Sequence, residues 1–342
     1  MKICSPALTP VQIAAVEGTK EWVRECIRRR DEGAGVHSTF NPTPYWQFFA
    51  QAFNYLLALP AEEYRSLRLH TYHLDGETYQ RAFFASRTEY EVPYRALIRH
   101  LPASYHLSAP EACGEYGHIV DGRLVNGAVL RWQELIGTLY GRGILERLAS
   151  KRRPIILEIG GGWGSLGEHF QRIFPDLIYI IVDIPETLLF STSYLTLLHG
   201  QTRVRKEAGD SKLSLNSLAE ASFLMLPNYA LGAISDLNFD LTINIQSFQE
   251  MTADQVRQYL EFLAPRTSIL LSDNQDKQDV SEQDICVSAL LGKSFNLDPL
   301  PLRQGFVRSI INNTIAAVAF LRGQPVARPL KRYLASPAKI AR

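Results

Sequence analysis

The sequence has few cysteines, few methionines and no long apolar run. Four cysteines and three methionines occur among 342 residues, and no two cysteines are spaced as in a CxxC metal or redox motif. No apolar run reaches the ~18 residues that a membrane-spanning helix needs, and the beginning of the chain has no apolar stretch of the signal-peptide kind. We therefore expect a cytoplasmic protein with reduced thiols and no membrane partner.

The chain also has almost no net charge. Its formal charge is +1, with 46% apolar and 21% charged residues, which is an ordinary globular composition. A protein without a basic excess has no general attraction to nucleic acid or to an anionic membrane. We expect a small-molecule partner rather than nucleic acid.

Helical patterns dominate residues 1–150. Thr9-Pro10 is typical of a helix N-cap followed by a first-turn proline. We predict further helices over residues 45–59, 61–69, 78–86 and 92–101, then a loop over 108–127 and one longer helix over 129–144.

The pattern changes after Pro154, where short runs rich in Ile and Val begin. Such runs are typical of strands buried on both faces of a parallel sheet. Helical patterns separate them, and Thr252 with Gln255 forms a capping box before one of these helices. This alternation predicts a Rossmann-like, doubly wound α/β sheet over residues 151–342. We expect strands over 154–159, 177–184, 221–226, 239–245, 267–273 and 307–322, helices over 186–199 and 252–264, and a polar surface insertion over 201–219.

A glycine loop follows the first of these strands, and it fits two cofactor patterns. Gly162, Gly164 and Gly167 match the GxGxxG dinucleotide pattern. Glu158 with Gly160, Gly162 and Gly164 matches the ExGxGxG loop of class I S-adenosylmethionine (SAM) methyltransferases. Asp183, at the end of the next strand, suits the ribose hydroxyls of either cofactor.

The carboxylate of Glu158 favours the second pattern. A dinucleotide places its pyrophosphate at the helix N-terminus, where a nearby carboxylate repels it. SAM carries an ammonium and a sulfonium group and no phosphate, so that a carboxylate beside the loop attracts it. We therefore expect SAM as the cofactor.

Three segments together resemble a known family. "LEIGGGWGSLGEHF", "IVDIPETL" and "FDLTINIQSFQEM" are similar to segments of the sugar O-methyltransferases, a bacterial branch of the class I SAM-dependent methyltransferases. The upstream "GEYG" and "VNG" before an Arg-containing helix add to the resemblance, which covers residues 111–263.

The resemblance implies a role for each matching residue at the cofactor. The glycines would approach the methionine portion, Glu158 would support its amino group, and Asp183 would hold the ribose. Ile184 would lie beside the adenine, and Pro227 and Asn228 would line the adenine pocket. Asn244, Ile245 and Gln246, at the end of the fourth strand, would face the methionine and the methyl group. The implied cofactor-binding residues are Glu158, Gly160, Gly161, Gly162, Gly164, Asp183, Ile184, Pro227, Asn228, Asn244, Ile245 and Gln246.

A sugar hydroxyl is a weak acid and needs a base or a metal as it attacks the methyl group. Glu250, after the fourth strand, is the first candidate base, and a helix cap or an arginine partner is the alternative. His118 is the second candidate, because a histidine titrates near neutral pH. Asp273 and Asn274 would join Glu250 if a divalent cation were bound, but we do not predict a metal.

On the acceptor side, we expect contacts from Tyr116, Asn126, Arg131 and Gln249. Arg131 would bind an acidic group of the acceptor or pair with Glu134. The cluster Tyr45, Trp46, Phe48 and Phe49 is expected in the core, with a share left for an acceptor pocket.

These observations predict a SAM-dependent O-methyltransferase acting on a hydroxyl of a sugar or a sugar-bearing small metabolite, with S-adenosylhomocysteine (SAH) as product. The helical part over 1–150 would form a lid over the acceptor and a candidate dimerisation surface. Two alternatives stay open. One is a methyltransferase acting on a phenol, a carboxylate or an amine of a peptide or polyketide product. The other is an NAD-dependent oxidoreductase or a silent binding module on the same fold.

Overall fold

The computed structural model describes residues 1–33, 40–75, 83–276, 285–300 and 330–338. Helices and a small sheet form the N-terminal part, and a large sheet follows. Among the described residues, no helix has both the length and the apolar composition needed to cross a bilayer.

The N-terminal part begins with helices at the predicted places. Thr9 caps the first helix through a complete capping box with Gln12, which confirms the predicted start. The region predicted as a helix from residue 61 is a 3₁₀ helix, and most of the one predicted over 78–86 lies outside the described residues. The helices are α1 (Pro10–Glu32), α2 (Pro44–Ala58), a 3₁₀ helix (Ala61–His70), α3 (Tyr72–Asp75), α4 (Arg87–Ile98) and a short 3₁₀ helix (Ala103–Tyr105).

The predicted loop over 108–127 is wrong, because it contains two strands of an antiparallel sheet. Asp121 and Gly122 both have positive φ, 49° and 76°, as a tight hairpin turn requires. The sheet order is β1-β2-β3, and the first strand comes from the start of the chain. Its strands are β1 (Lys2–Cys4), β2 (Glu115–Val120) and β3 (Arg123–Val125).

The single helix predicted over 129–144 is also wrong, because it is two helices, α5 (Gly127–Gly141) and α6 (Ile144–Ala149). Gly143 lies between them with φ 68°. This left-handed conformation ends a helix.

The large sheet is doubly wound, as predicted. Its order is β10-β11-β9-β8-β4-β5-β7-β6. The six strands β9, β8, β4, β5, β7 and β6 are neighbours in this order, and each adjacent pair is parallel. Strand β11 is antiparallel to both of its neighbours, β9 and β10. The strands are β4 (Ile155–Ile159), β5 (Ile178–Asp183), β6 (Val204–Lys206), β7 (Phe223–Pro227), β8 (Leu241–Ile245), β9 (Leu270–Gln275), β10 (Phe295–Leu300) and β11 (Leu330–Pro337).

Helices connect these strands and cover the sheet. The capping box of Thr252 and Gln255 is present, as predicted. The polar region over 201–219 is not entirely irregular, because it supplies the edge strand β6. The strands predicted over 307–322 lie outside the described residues. The connecting helices are α7 (Ser165–Ile173), α8 (Pro185–His199), α9 (Ala253–Leu263) and α10 (Val287–Leu291), with 3₁₀ helices at Asn216–Leu218, Asn228–Ile234 and Phe248–Glu250.

Alternate residues of β4 enter different cores. All five residues of β4 are buried. Ile156 belongs to a cluster that also contains Val16 and Phe53 of the N-terminal helices, whereas Leu157 belongs to a cluster with Val256 of α9. The N-terminal part therefore packs on one face of the sheet and shares its core. The division near residue 150 stays a prediction.

Candidate functional site

The strand order reverses between β4 and β8, since β5 lies on one side of β4 and β8 on the other. In doubly wound sheets, ligands bind in the crevice outside the carboxyl ends of the strands at such a switch point. The glycine loop after β4 and residues 246–250 after β8 flank this crevice.

The glycine loop requires glycine at several positions. Gly160, Gly162 and Gly164 have φ values of 77°, 56° and 85°, a left-handed conformation that other residues adopt with strain. A Cβ on Gly160 would collide with Ser247, and one on Gly161 would lie 2.6 Å from a methyl carbon of Ile181. The loop is therefore packed tightly on its neighbours and presents bare backbone, which is the surface that a close-fitting cofactor needs.

Asp183 lies at the end of β5, directly beside this loop. Its carboxylate accepts hydrogen bonds from the backbone N–H of Gly162 at 3.2 Å and of Ile184 at 2.8 Å. Burial raises the pKa of Asp183 to about 7, with smaller contributions from Glu250 and Glu186, against the lowering effect of the two N–H donors. The second strand and the glycine loop are thus joined through one carboxyl group.

Glu158 lies within β4 and is only 3% exposed. Its carboxyl group accepts a 2.9 Å hydrogen bond from the hydroxyl of Tyr179 on β5. Burial raises the pKa of Glu158 to about 8. The carboxyl group is therefore largely protonated at neutral pH, which changes the charge argument made from the sequence: a cation beside Glu158 would favour its carboxylate form.

Asn244 was expected to face the methionine and the methyl group, but its side chain has another use. It is fully buried, donates to the carbonyl of Ile159 at 2.9 Å, and accepts from the N–H of Phe248 at 3.1 Å. Asn274 of β9 donates to the same Oδ1 atom at 2.9 Å and accepts from the N–H groups of Ser247 and Gln249. The two amides therefore fix the turn after β8, and Gln246 enters this turn with φ 53°.

The side chain of Gln249 was expected at the acceptor, but its Oε1 accepts a 2.7 Å hydrogen bond from the N–H of Gln275 at the end of β9. Glu250 is half-buried and accepts a 2.9 Å hydrogen bond from Nε1 of Trp46. Its backbone carbonyl accepts from the hydroxyl of Thr43 at 3.1 Å. Glu250 is thus held by the start of α2 at the edge of the crevice.

Residues 40–46 cross this edge of the sheet. The carbonyl of Phe40 accepts from Nδ2 of Asn228 at 2.6 Å, and the carbonyl of Asn41 accepts from Nε2 of Gln255 at 2.8 Å. Pro227, just before Asn228, is the register partner of Asp183. The segment therefore covers the ends of β7 and β8, where the resemblance places the adenine and the methyl group.

Aromatic side chains of α2 continue this cover. Trp46 and Phe49 are partly buried against the core, whereas Tyr45 and Phe48 are 54% and 68% exposed. The prediction of core packing is therefore correct for two of these four rings.

The upstream candidates lie on the small sheet and at the start of α5. His118 stacks on Tyr90 with ring centroids 5.3 Å apart. Tyr116 is buried, with the Arg68 guanidinium 5.1 Å from its ring. Both roles stay predictions.

Asn126 was expected to contact the acceptor, but it is fully buried. It caps α5 by accepting from the N–H of Val129, and it donates to Glu115. Its amide is therefore used within the protein, as the N-cap of a buried helix requires.

The guanidinium of Arg131 lies 5.7 Å from the ring of Trp132. The alternative partner, Glu134, forms a 3.3 Å ion pair with Arg332.

Asp273 forms a buried 2.8 Å ion pair with Arg332 of β11. In the part of the chain that the structure describes, no group of three His, Cys, Asp or Glu side chains is arranged to hold a metal ion.

Sequence reasoning did not identify Tyr179, Trp163 or Arg68 as site residues. The Tyr179 hydroxyl reaches Glu158, and the Arg68 guanidinium lies over the ring of Trp163 within the glycine loop. The signal for Trp163 was its place between two loop glycines. Arg68 carried no signal, because its contact with the loop spans 95 residues of sequence (163 − 68).

No family model matches the sequence, and no curated protein does. The chain is similar to the solved structure of the mitomycin 7-O-methyltransferase MmcR, with 16% identity, 61% of this chain and 57% of that chain covered, and a TM-score of 0.34. It is also similar to the structure of PigF with SAH, with 11% identity, 62% of this chain and 59% of that chain covered, and a TM-score of 0.34. A third similar structure is that of an O-methyltransferase family protein from Burkholderia thailandensis, with 8% identity, 60% of this chain and 58% of that chain covered, and a TM-score of 0.34.

The chain thus spans less than two thirds of the length of these three proteins. At such identities and TM-scores the likeness adds nothing to the strand order. The strand order itself, with its switch point, is that of a doubly wound, Rossmann-like sheet, to which β11 adds an antiparallel strand.

Proposed function

We propose that this protein is a SAM-dependent O-methyltransferase that acts on a hydroxyl of a sugar or of a sugar-bearing small metabolite. One observation carries the proposal: the Asp183 carboxylate is held by the N–H groups of Gly162 and Ile184, so that an acidic ribose partner and a bare glycine loop meet at the switch point.

The residues around the crevice fit this cofactor. Gly160, Gly161, Gly162 and Gly164 form a cradle that leaves no room for a Cβ at several positions. Asp183 would hold the ribose hydroxyls, and Ile184, Pro227 and Asn228 would flank the adenine. Ile245 and Gln246, at the end of β8, would lie beside the reacting group.

The acidic groups favour SAM over a dinucleotide. Glu158 and Asp183 are two carboxyl groups with raised pKa values, about 8 and about 7. A pyrophosphate would add negative charge beside them, whereas an ammonium or sulfonium group would compensate their ionisation. When bound, SAM supplies an electrophilic methyl group on sulfur.

The chain's own residues would position and deprotonate the acceptor. The acceptor oxygen must lie about 3 Å from the methyl carbon, opposite the sulfur, so that orientation supplies much of the rate. Glu250 is the candidate base, since the Trp46 indole holds its carboxylate at the rim of the crevice. His118 remains the second candidate.

The N-terminal part would act as the acceptor lid. Residues 40–46 already bridge Asn228, Glu250 and Gln255, and the aromatic rings of α2 follow directly. Flat apolar faces of this kind pack against sugar rings and aromatic rings alike. A phenol is therefore the second candidate acceptor. Separately, the exposed ring of Phe48 is a candidate contact in a homodimer.

The first experiment is a thermal unfolding panel with SAM, SAH and NAD. A ligand that binds only the native state stabilises it by RT ln(1 + [L]/Kd) and so raises the melting temperature. We expect a shift with SAM and SAH and none with NAD, and we expect Asp183→Ala to abolish it. A shift with NAD alone would replace this proposal with the oxidoreductase.

A further inference from the structure

Arg68 is a buried cation whose contacts extend to the glycine loop. Its side chain is fully buried. The guanidinium carbon lies 4.5 Å from the ring centroid of Trp163 and 5.1 Å from that of Tyr116. Distances of this size are typical of cation–π contacts. Arg68 thus joins a residue between two loop glycines to the small sheet.

The charge of Arg68 has a fixed partner. Its Nε lies 3.5 Å from Glu115 Oε2, and Glu115 also accepts from the hydroxyl of Tyr194 at 2.8 Å and from Nδ2 of Asn126 at 2.9 Å. Tyr194 belongs to α8, the helix that follows Asp183. The cation is therefore held in place from α8, from the cap of α5 and from β2.

One hydrogen bond and one close approach also connect the N-terminal part to the same loop. Nε1 of Trp132 donates a 2.7 Å hydrogen bond to the hydroxyl of Ser165, the first residue of α7. A Cβ on Gly162 would lie 3.9 Å from Cβ of Leu74. The outer side of the glycine loop therefore rests on residues from the first 150 positions of the chain.

We propose that Arg68 is a positioning residue for the cofactor: it holds Trp163 against the small sheet and thereby gives the glycine loop the shape that receives the methionine portion. This inference rests on the proposed function. Arg68 acts through Trp163, so its removal should weaken binding of the methionine portion more than binding of the nucleoside at Asp183, which Ile184 also holds from outside the loop.

The test compares two ligands of the purified full-length chain by calorimetry. SAH contains the amino-acid portion, whereas 5′-methylthioadenosine contains the nucleoside and the sulfur without it. We expect Arg68→Met to weaken the affinity for SAH by about tenfold or more. The affinity for methylthioadenosine should stay within about twofold of the wild-type value. A merely structural role would weaken both ligands in the same proportion.

Two more variants separate charge from stacking. Arg68→Lys keeps a cation beside Glu115 but lacks the planar guanidinium, so it should show a smaller but still SAH-selective loss. Tyr116→Leu removes the second ring near the guanidinium and keeps the ion pair with Glu115. If Arg68→Met does not fold, these two variants carry the test.

Lys20→Met is the matched control. Lys20 is also a buried cation of the N-terminal part, and it binds Glu17 and the carbonyl of Leu59, each at 2.8 Å, rather than the loop. It should leave the ratio of the two affinities unchanged.

A ratio equal to that of the wild type in the Arg68 and Tyr116 variants, or an equal change in Lys20→Met, overturns the proposal. Wild-type protein that binds neither ligand overturns the proposed function instead, so the two failures are distinguishable.

Discussion

The hydroxyl of Tyr179 donates a 2.9 Å hydrogen bond to the carboxyl group of Glu158 on the neighbouring strand. This pair lies beneath the glycine loop, since a Cβ on Gly161 would lie 3.2 Å from Oε2 of Glu158. A buried acid with a raised pKa makes the stability of the protein depend on pH in a definite direction.

Glu158 should destabilise the fold as pH rises. Its pKa is about 8 in the folded chain, against an ordinary value of 4.5. Between these values the native state binds more protons than the unfolded state, so stability falls with rising pH and levels off above pH 8. Asp183, with a pKa of about 7, adds a dependence of the same sign.

We therefore expect Glu158→Gln to reduce the loss of unfolding free energy between about pH 5 and about pH 8 by on the order of 2–3 kcal/mol. Urea unfolding at several pH values measures it. Tyr179→Phe is the control: it removes the donor that favours the carboxylate, so it keeps the pH dependence. An unchanged slope in Glu158→Gln would show that this carboxyl group ionises normally.

Glu250→Gln tests the base. For a hydroxyl acceptor, loss of a positioned base should lower kcat by about 10²–10⁴-fold. A carboxylate acceptor is already ionised at neutral pH, and the rate would then change little. The measurement is SAH formation with a panel of free sugars, nucleoside-linked sugars and phenols.

Trp46→Phe is the matched variant for Glu250. It removes the Nε1 donor that binds the carboxylate but leaves the carboxylate itself. We expect a smaller loss of rate and a shift in the pH–rate profile. Equal losses in both variants would contradict a role for Glu250 as the base.

Asn274→Ala should loosen the turn after β8. The Asn274 Oδ1 atom accepts from the N–H groups of Ser247 and Gln249, and its amide donates to Asn244. Leaving such buried groups unpaired costs about 1–3 kcal/mol each. We expect a loss of about that size in urea unfolding and faster hydrogen exchange at Ser247 and Gln249.

Asn274→Asp keeps an acceptor for both N–H groups, but it replaces the donor with an oxygen and adds an ionisable group at a buried position. It should therefore protect Ser247 and Gln249 better than Asn274→Ala does. Equal exchange rates in the two variants would show that this carboxamide does not hold the turn.

Gly160→Ala should be more costly than backbone strain alone explains. A residue other than glycine in the left-handed region costs about 1–2 kcal/mol, and a Cβ at Gly160 would also collide with Ser247. Gly122→Ala is the control, because Gly122 has φ 76° with nothing within 4 Å of its added Cβ. When Ser247→Gly is combined with Gly160→Ala, the collision is removed, and the protein should regain the unfolding free energy by which Gly160→Ala exceeds Gly122→Ala in cost. A double-mutant cycle of unfolding free energies measures this coupling, and additive effects would contradict it.

The sequence by itself determined the doubly wound sheet and the place of the glycine loop. Runs such as that over residues 155–159 are apolar at every position but one, so only a strand buried on both faces accommodates them. The place of the loop glycines and of Asp183 in the fold was predictable because it depends on local backbone geometry and on a strand end, whereas their role at a cofactor stays a prediction. The N-cap at Thr9 and the capping box at Thr252 were correct for the same reason.

Only the tertiary structure decided what the polar side chains do. Asn244 and Asn126 looked like ligand contacts, but each satisfies buried backbone groups whose positions depend on distant strands and helices. Arg68 and Trp163 are separated by most of the N-terminal part, and no local pattern records that they touch. A buried polar group must find partners wherever the fold supplies them, and the fold supplies them from segments that are remote in sequence.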